Sequence, residues 1–180
     1  MRSVAGFARG VDWLNEQVGQ VVSWLTLATV LVCAVVVILR YVFSIGFIWM
    51  QELYVWTYAA VFLLGAGYTL RHQGHVRVDI LTANAGPKTR AWIDLFGTLV
   101  FLLPWLAVIA WTAWPYVSAS WAIAEASSQT DGMPALYLLK SLLLVFCALL
   151  GLQGLATIAR SLLILAGYEA IDSAHGKEAE

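Results

Sequence analysis

Charge is what this chain of 180 residues has least of: Asp, Glu, Lys and Arg make up 12% of it, about half the share usual in a soluble domain. The few charges also avoid particular places. No Asp, Glu, Lys, Arg or His lies between Gln17 and Leu39, from Leu53 to Leu70, from Leu95 to Ala124, or from Ser141 to Ala159. Intramembrane charges mark ion paths, proton relays and counter-ions, so this silence speaks against a proton-coupled antiporter with a buried carboxylate. The three histidines, His72, His75 and His175, all fall outside those stretches, which speaks against haem held between membrane helices. Only two cysteines occur, Cys33 and Cys147, both in apolar runs and not in a C-x-x-C motif. They read as small buried hydrophobes rather than a disulfide framework. A net charge of −1 offers no basic field for nucleic acid. The sequence has no nucleophile constellation, phosphate-binding glycine loop or paired carboxylates, and it is not read as an enzyme.

What remains is hydrophobic: 61% of the residues. A membrane helix needs roughly 20 apolar residues, and each of the four charge-free stretches approaches or exceeds that length. The expected fold class is an all-α integral membrane protein of four transmembrane helices, with a long tilted third helix. The predicted layout is an N-terminal cytoplasmic or surface helix over 1–16, a membrane domain over 17–166 and a cytoplasmic tail over 167–180. Val4, Phe7, Val11 and Leu14, spaced by three and four, form the apolar stripe of that surface helix, and Arg9, Asp12 and Glu16 lie mostly off it. The first apolar run, about 23 residues, is too long for a signal-peptide core of roughly 7–15, so it is read as a retained span.

Individual spans are predicted over 17–39, 50–70, 95–124 and 135–160, the last running on to about Ala166. The third is over-long: 30 residues make roughly 45 Å of helix against about 30 Å of hydrocarbon. Steep tilt, kinks at Pro104 and Pro115, or extension beyond the lipid would absorb the excess. Gly65 and Gly67 in the second span allow close helix approach. Lys140, a turn inside the fourth, would snorkel outward. The segment from Val76 to Ala83 could be a short strand-like or helical elbow. With the N-terminus inside, the inner side holds Arg2, Arg9, Arg71, Arg77, Lys88, Arg90, Arg160 and Lys177, and the outer side only Arg40 and Lys140. The positive-inside rule therefore puts both termini in the cytoplasm.

Arg40 and Glu52 bracket the first hairpin and either pair with each other, meet another subunit, or act as separate interfacial anchors. His72 and His75 make H-x-x-H, too few ligands for a tetrahedral metal site even with Asp79 nearby. Their reading is as turn, headgroup or partner contacts. The nine tryptophans read as anchors and packing rather than as a binding cage.

Three motifs then occur in order: Arg40-Tyr41-Val42-Phe43 closing the first span, Trp49-Met50-Gln51-Glu52 opening the second, and Gly74-His75-Val76-Arg77-Val78-Asp79-Ile80-Leu81 after it. Over about 20–165 the chain resembles the small membrane subunit of tripartite ATP-independent periplasmic (TRAP) transporters. It departs from the W-x-E-E pattern of that family in having Gln51 where the first acid stands. The resemblance implies a multi-pass protein of a bacterial or archaeal inner membrane, working with a large membrane subunit and a periplasmic substrate-binding protein. Such a system imports an organic acid, commonly a carboxylate, by secondary-active symport. Sodium coupling is expected in the large subunit and no cofactor in this chain. This subunit would be a scaffold that stabilises the large one. Partner or lipid contacts are expected from Arg40, Trp49 and Glu52 at the outer level. At the inner level they are expected from Arg71, His75, Arg77 and Asp79. The rival readings are a stand-alone homo-oligomeric transporter or channel, lined by Thr57, Thr69, Thr112, Ser118, Ser120, Gln153 and Thr157, and a membrane assembly factor or sensor.

Overall fold

Four helices make up the computed structural model, which describes residues 2–74 and 85–167. They are α1 (Arg2–Val42), α2 (Ile48–Arg71), α3 (Pro87–Ala122) and α4 (Leu136–Leu165). All are long and apolar enough to cross a membrane. They alternate in direction, so one end of the bundle gathers the starts of α1 and α3 and the ends of α2 and α4. This is called the basal end below, and the other the apical end. The elbow expected over Val76 to Ala83 lies outside the described residues, as does the tail from residue 168.

The expected helix over 3–16 forms, but it does not stop before the first span: α1 runs unbroken for 41 residues, about 60 Å. Nor is the Val4–Phe7–Leu14 stripe the buried one; those three side chains are exposed. The face turned inward is Ala8, Val11 and Asn15, with Ala8 and Val11 packed on Leu152 and Ala156 of α4. Small and medium side chains won that face because it lies against another helix rather than on lipid. The stripe and the buried face share only Val11.

Helix ends are set by local backbone closures. At the end of α2, Gln73 is left-handed (φ 54°) and the Gly74 N–H reaches the Thr69 carbonyl at 2.9 Å. At the end of α3, Ala124 (φ 46°) and the Glu125 N–H on Ser120 do the same at 3.0 Å. Both close orphan carbonyls in the Schellman manner without glycine. Between α1 and α2, Ser44 (φ 57°) makes the turn and the Ile45 N–H returns to Leu39 at 3.0 Å.

The third helix starts at Pro87, eight residues ahead of the predicted Leu95, and stays helical through Pro104 and Pro115. Its irregularity is a π turn over Thr98–Leu102, where the Leu103 N–H bonds to the Thr98 carbonyl. Pro104 has no N–H to give the Val100 carbonyl, and a widened turn just before it is one way to accommodate that loss. Gly154 of α4 faces this turn; a Cβ there would sit 3.1 Å from Leu102 and 3.3 Å from Thr98.

The core is centred on α4, which packs against each of the other three helices, whereas α1 and α3 share no extensive contact. Leu106 of α3 meets Phe146, Cys147 and Leu150 of α4, with Leu63, Ala66 and Leu70 of α2 closing the cluster. Trp105 stands edge-on to Phe146 at 6.3 Å. Close approach of α1 and α2 depends on glycine: Gly67 lies directly against the Asn15 amide, and the Tyr68 ring covers Gly19. Gly65 faces Val22. Cys147 is buried and Cys33 exposed, and both are free thiols.

Candidate functional site

Polar chemistry collects at the two ends of the bundle. At the basal end three helices contribute. From α1 come Asp12, Asn15 and Glu16, spaced so that all three share one helix face. Arg71 ends α2, with His72 capping it. Gln153 and Arg160 lie on the basal half of α4.

These groups form a continuous network. The Arg160 guanidinium donates to both oxygens of Asp12, at 2.8 and 2.7 Å. Gln153 Nε2 donates to Asp12 Oδ1 at 2.9 Å, and Gln153 Oε1 accepts from Asn15 Nδ2 at 2.7 Å. Arg71 pairs with Glu16 and also donates to the Asp12 backbone carbonyl at 3.1 Å. His72 Nε2 faces the same Glu16 oxygen at 2.9 Å, its ring against Tyr68. Asn15 and Gln153 are fully buried, and the ion pairs are only partly exposed. Two acids on α1 are thus matched by one arginine each from α2 and α4. Removing one partner of such a shielded pair leaves a charge stranded, so the network ties the three helices to one relative register.

At the apical end Glu52 does not pair with Arg40. Its Oε2 accepts the Met133 N–H at 2.6 Å and its Oε1 accepts from the Ser127 hydroxyl. Both oxygens thereby hold the connector between α3 and α4. Ser127 N–H to the Met133 carbonyl at 3.1 Å and left-handed Asp131 and Ala135 shape the same loop. Lys140 turns into this loop instead of snorkelling freely: Nζ lies 2.5 Å from Glu125 and 4.1 Å from the centroid of the Tyr116 ring. The ammonium holds the Glu125 carboxyl below the usual carboxylate range. Trp121 donates its indole N–H to Ser141 at 2.8 Å.

Of the residues singled out from the sequence, Arg40 and Trp49 stay exposed, in a hairpin whose residues 40–49 are all exposed. The side chain of Arg40 has no ion pair among the described residues. Glu52 and Arg71 are engaged inside the chain. His75, Arg77 and Asp79 lie outside the described residues. The network that the sequence reading missed is Asp12, Asn15, Glu16 and Gln153. Its signals were the three-and-four spacing of the polar residues of α1 and a lone amide in an apolar span. The candidate pore-lining hydroxyls of Thr57, Thr69, Thr112, Ser118 and Thr157 bond to backbone carbonyls of their own helices, and Gln153 is spent in the network.

A family model described as "Tripartite ATP-independent periplasmic transporters, DctQ component" matches residues 28–163. No curated protein matches, and no solved structure does.

Proposed function

This chain belongs to the DctQ component family of tripartite ATP-independent periplasmic transporters, and from that membership we propose that it is the small scaffold subunit of such a transporter. It stabilises a large membrane subunit that moves an organic acid, of carboxylate class, delivered by a periplasmic binding protein. Coupling, with sodium as the expected ion, belongs to the large subunit. The chain sits in the inner membrane with both termini cytoplasmic, the basal end inward by the bias of Lys and Arg.

One observation carries this reading. Three ion pairs are built into the ends of the bundle, Arg160 on Asp12, Arg71 on Glu16 and Lys140 on Glu125. A coupled carrier needs a polar site near the bilayer midplane, often in broken helices. Here the middle is packed with Leu106, Phe146, Cys147 and Leu150. A bundle braced at both ends and apolar between them suits a part that stays still while another moves. On this reading Arg40 and Trp49 meet the partner or headgroups on the outer side. Glu52 and Arg71 act by keeping the bundle in shape, and His75, Arg77 and Asp79 serve the inner contact.

Cells that retain the large subunit and the binding protein but lack this chain should lose uptake of the acid, and resupplying the chain should restore it. Uptake by the chain alone in sealed liposomes would overturn the proposal in favour of a self-sufficient carrier.

A further inference from the structure

The packing of α1 on α2 fixes how far the apical hairpin stands from the membrane core. Gly19 of α1 lies under the Tyr68 ring of α2, and Val22 faces Gly65. Carried along these antiparallel helices, that register puts Val35 level with Glu52 and Arg40 level with Phe47. Glu52 belongs to the apical polar layer, with the Ser127 hydroxyl, the Met133 N–H and the Lys140 ammonium on Glu125. Along α2 it stands 19 residues from Arg71, roughly 28 Å, close to the roughly 30 Å of a hydrocarbon core. The apical polar layer therefore marks one edge of the hydrocarbon. Arg40 lies five residues beyond Val35, about 7–8 Å further out. A headgroup layer is itself only about 5–8 Å thick, so the hairpin ends within it.

Its surface suits that layer. Tyr41, Phe43, Phe47 and Trp49 are all exposed, with the Phe47 and Trp49 rings 6.3 Å apart. Such rings gain most where an apolar body and a polar edge can both be met. Arg40 is the one charge in residues 40–49. The nearest acid in sequence, Glu52, has both oxygens on the connector between α3 and α4, and Arg40 has no ion pair among the described residues. A hairpin standing clear in water would leave its apolar side chains uncovered. A protein seat would have to bring an acid to the guanidinium. A phospholipid supplies both needs, an ester zone for the rings and a phosphate whose oxygens match the guanidinium fork.

We propose that the hairpin over residues 40–49 is a lipid anchor, resting in the headgroup layer of the leaflet at the apical end. Arg40 holds a phospholipid phosphate, and Tyr41 and Trp49 lie beside it at the depth of the esters. This narrows the reading above, in which Arg40 and Trp49 meet either the partner or headgroups, and the scaffold role does not depend on it.

Spin-label depth measurements test the anchor. In a Cys33→Ser, Cys147→Ala background the label is placed by Ile45→Cys, with Phe62→Cys, exposed in mid-span, and Ser128→Cys, exposed in the connector, as references. In liposomes of phosphatidylethanolamine and phosphatidylglycerol, collisions with oxygen and with a water-soluble nickel chelate report depth. The label at 45 should fall between the two references. Chelate access equal to that at 128 puts the hairpin in water and overturns the proposal. The measurement is then repeated with the large subunit co-purified, and the depth at 45 should not change. Loss of both kinds of collision there means that a protein seat covers the hairpin, which overturns the lipid anchor and leaves the scaffold role standing. The phosphate contact has its own readout. Arg40→Gln should weaken binding of phosphatidylglycerol to the delipidated subunit about fivefold by native mass spectrometry, the scale of one basic side chain at an anionic surface. Arg40 is exposed and pairs with no acid in the described chain, so the circular dichroism of the variant should match the parent. Equal lipid binding by variant and parent overturns the phosphate contact.

Discussion

Substituting Gly67 by Ala tests whether α1 and α2 are held at one spacing by the polar network or merely by fit. The new Cβ would overlap the Asn15 amide. That amide is fully buried and bonded to Gln153 at 2.7 Å and to the Val11 carbonyl at 3.3 Å. It can swing aside only by giving up Gln153. Overpacking of this kind costs about 1–3 kcal/mol, and one lost hydrogen bond about 1 kcal/mol more. Asn15→Ala costs on the order of 1–3 kcal/mol because Gln153 Oε1 loses its buried donor. Made together, the two changes do not add: with the amide gone, the added methyl group occupies its space. The double variant should therefore be destabilised by about 2–4 kcal/mol less than the sum of the single effects, well outside the roughly 0.5 kcal/mol scatter of independent sites. The assay is equilibrium unfolding in mixed detergent micelles with SDS as denaturant, followed by circular dichroism on all four chains of the cycle. Additive effects would refute the contact and with it the idea that Asn15 sets the approach of α1 to α2.

Other outcomes follow from the same contacts. Asp12→Ala strands Arg160 and should destabilise the bundle more than Arg9→Ala, whose parent side chain is exposed and reaches only its own helix. The expected difference is on the order of 2 kcal/mol, below the roughly 3–5 of a fully buried pair because both partners are partly hydrated. Glu52→Ala should free the connector over 124–135, read as faster hydrogen exchange at the Met133 amide and new proteolysis between Ser127 and Pro134; unchanged protection would show that the carboxylate is not what holds it. The Glu125 clamp should respond to acid. Its carboxyl titrates below the ordinary value when folded, so the clamp contributes fully above the ordinary carboxylate range and is lost as pH falls through the lowered one. Proteolysis of the connector should rise in that acidic window, and Lys140→Met should weaken the dependence.

Much of the fold was legible because its cause is local. Spans two and four lie within a few residues of their predicted limits, since a run of apolar residues bounded by Arg71 or by Met133-Pro134 needs no tertiary knowledge to be recognised. The third helix begins eight residues earlier than expected, and the first has no break between its surface segment and its span. Charge at Asp12 and Glu16 reads as solvent-facing when the partners Arg160 and Arg71 are 148 and 55 residues away in sequence. The candidate site fared less evenly. Arg40 and Trp49 are exposed. Glu52 was expected to meet a partner or headgroups, but its contacts lie in a loop of the same chain that turns back only after α3.

By itself the sequence determined that this is a four-helix membrane protein with an uncharged interior, because the transfer of side chains into hydrocarbon depends on composition and run length alone. Its motifs in order also placed it in its family. Only the tertiary structure decided that α1 is one helix, that Asp12, Asn15, Glu16, Gln153 and Arg160 belong together, and that Glu52 answers to Ser127 and Met133. Those facts turn on which residues meet across distant parts of the chain, and hydrogen-bond pairing in a low-dielectric interior is a property of position in space that spacing along a chain does not encode.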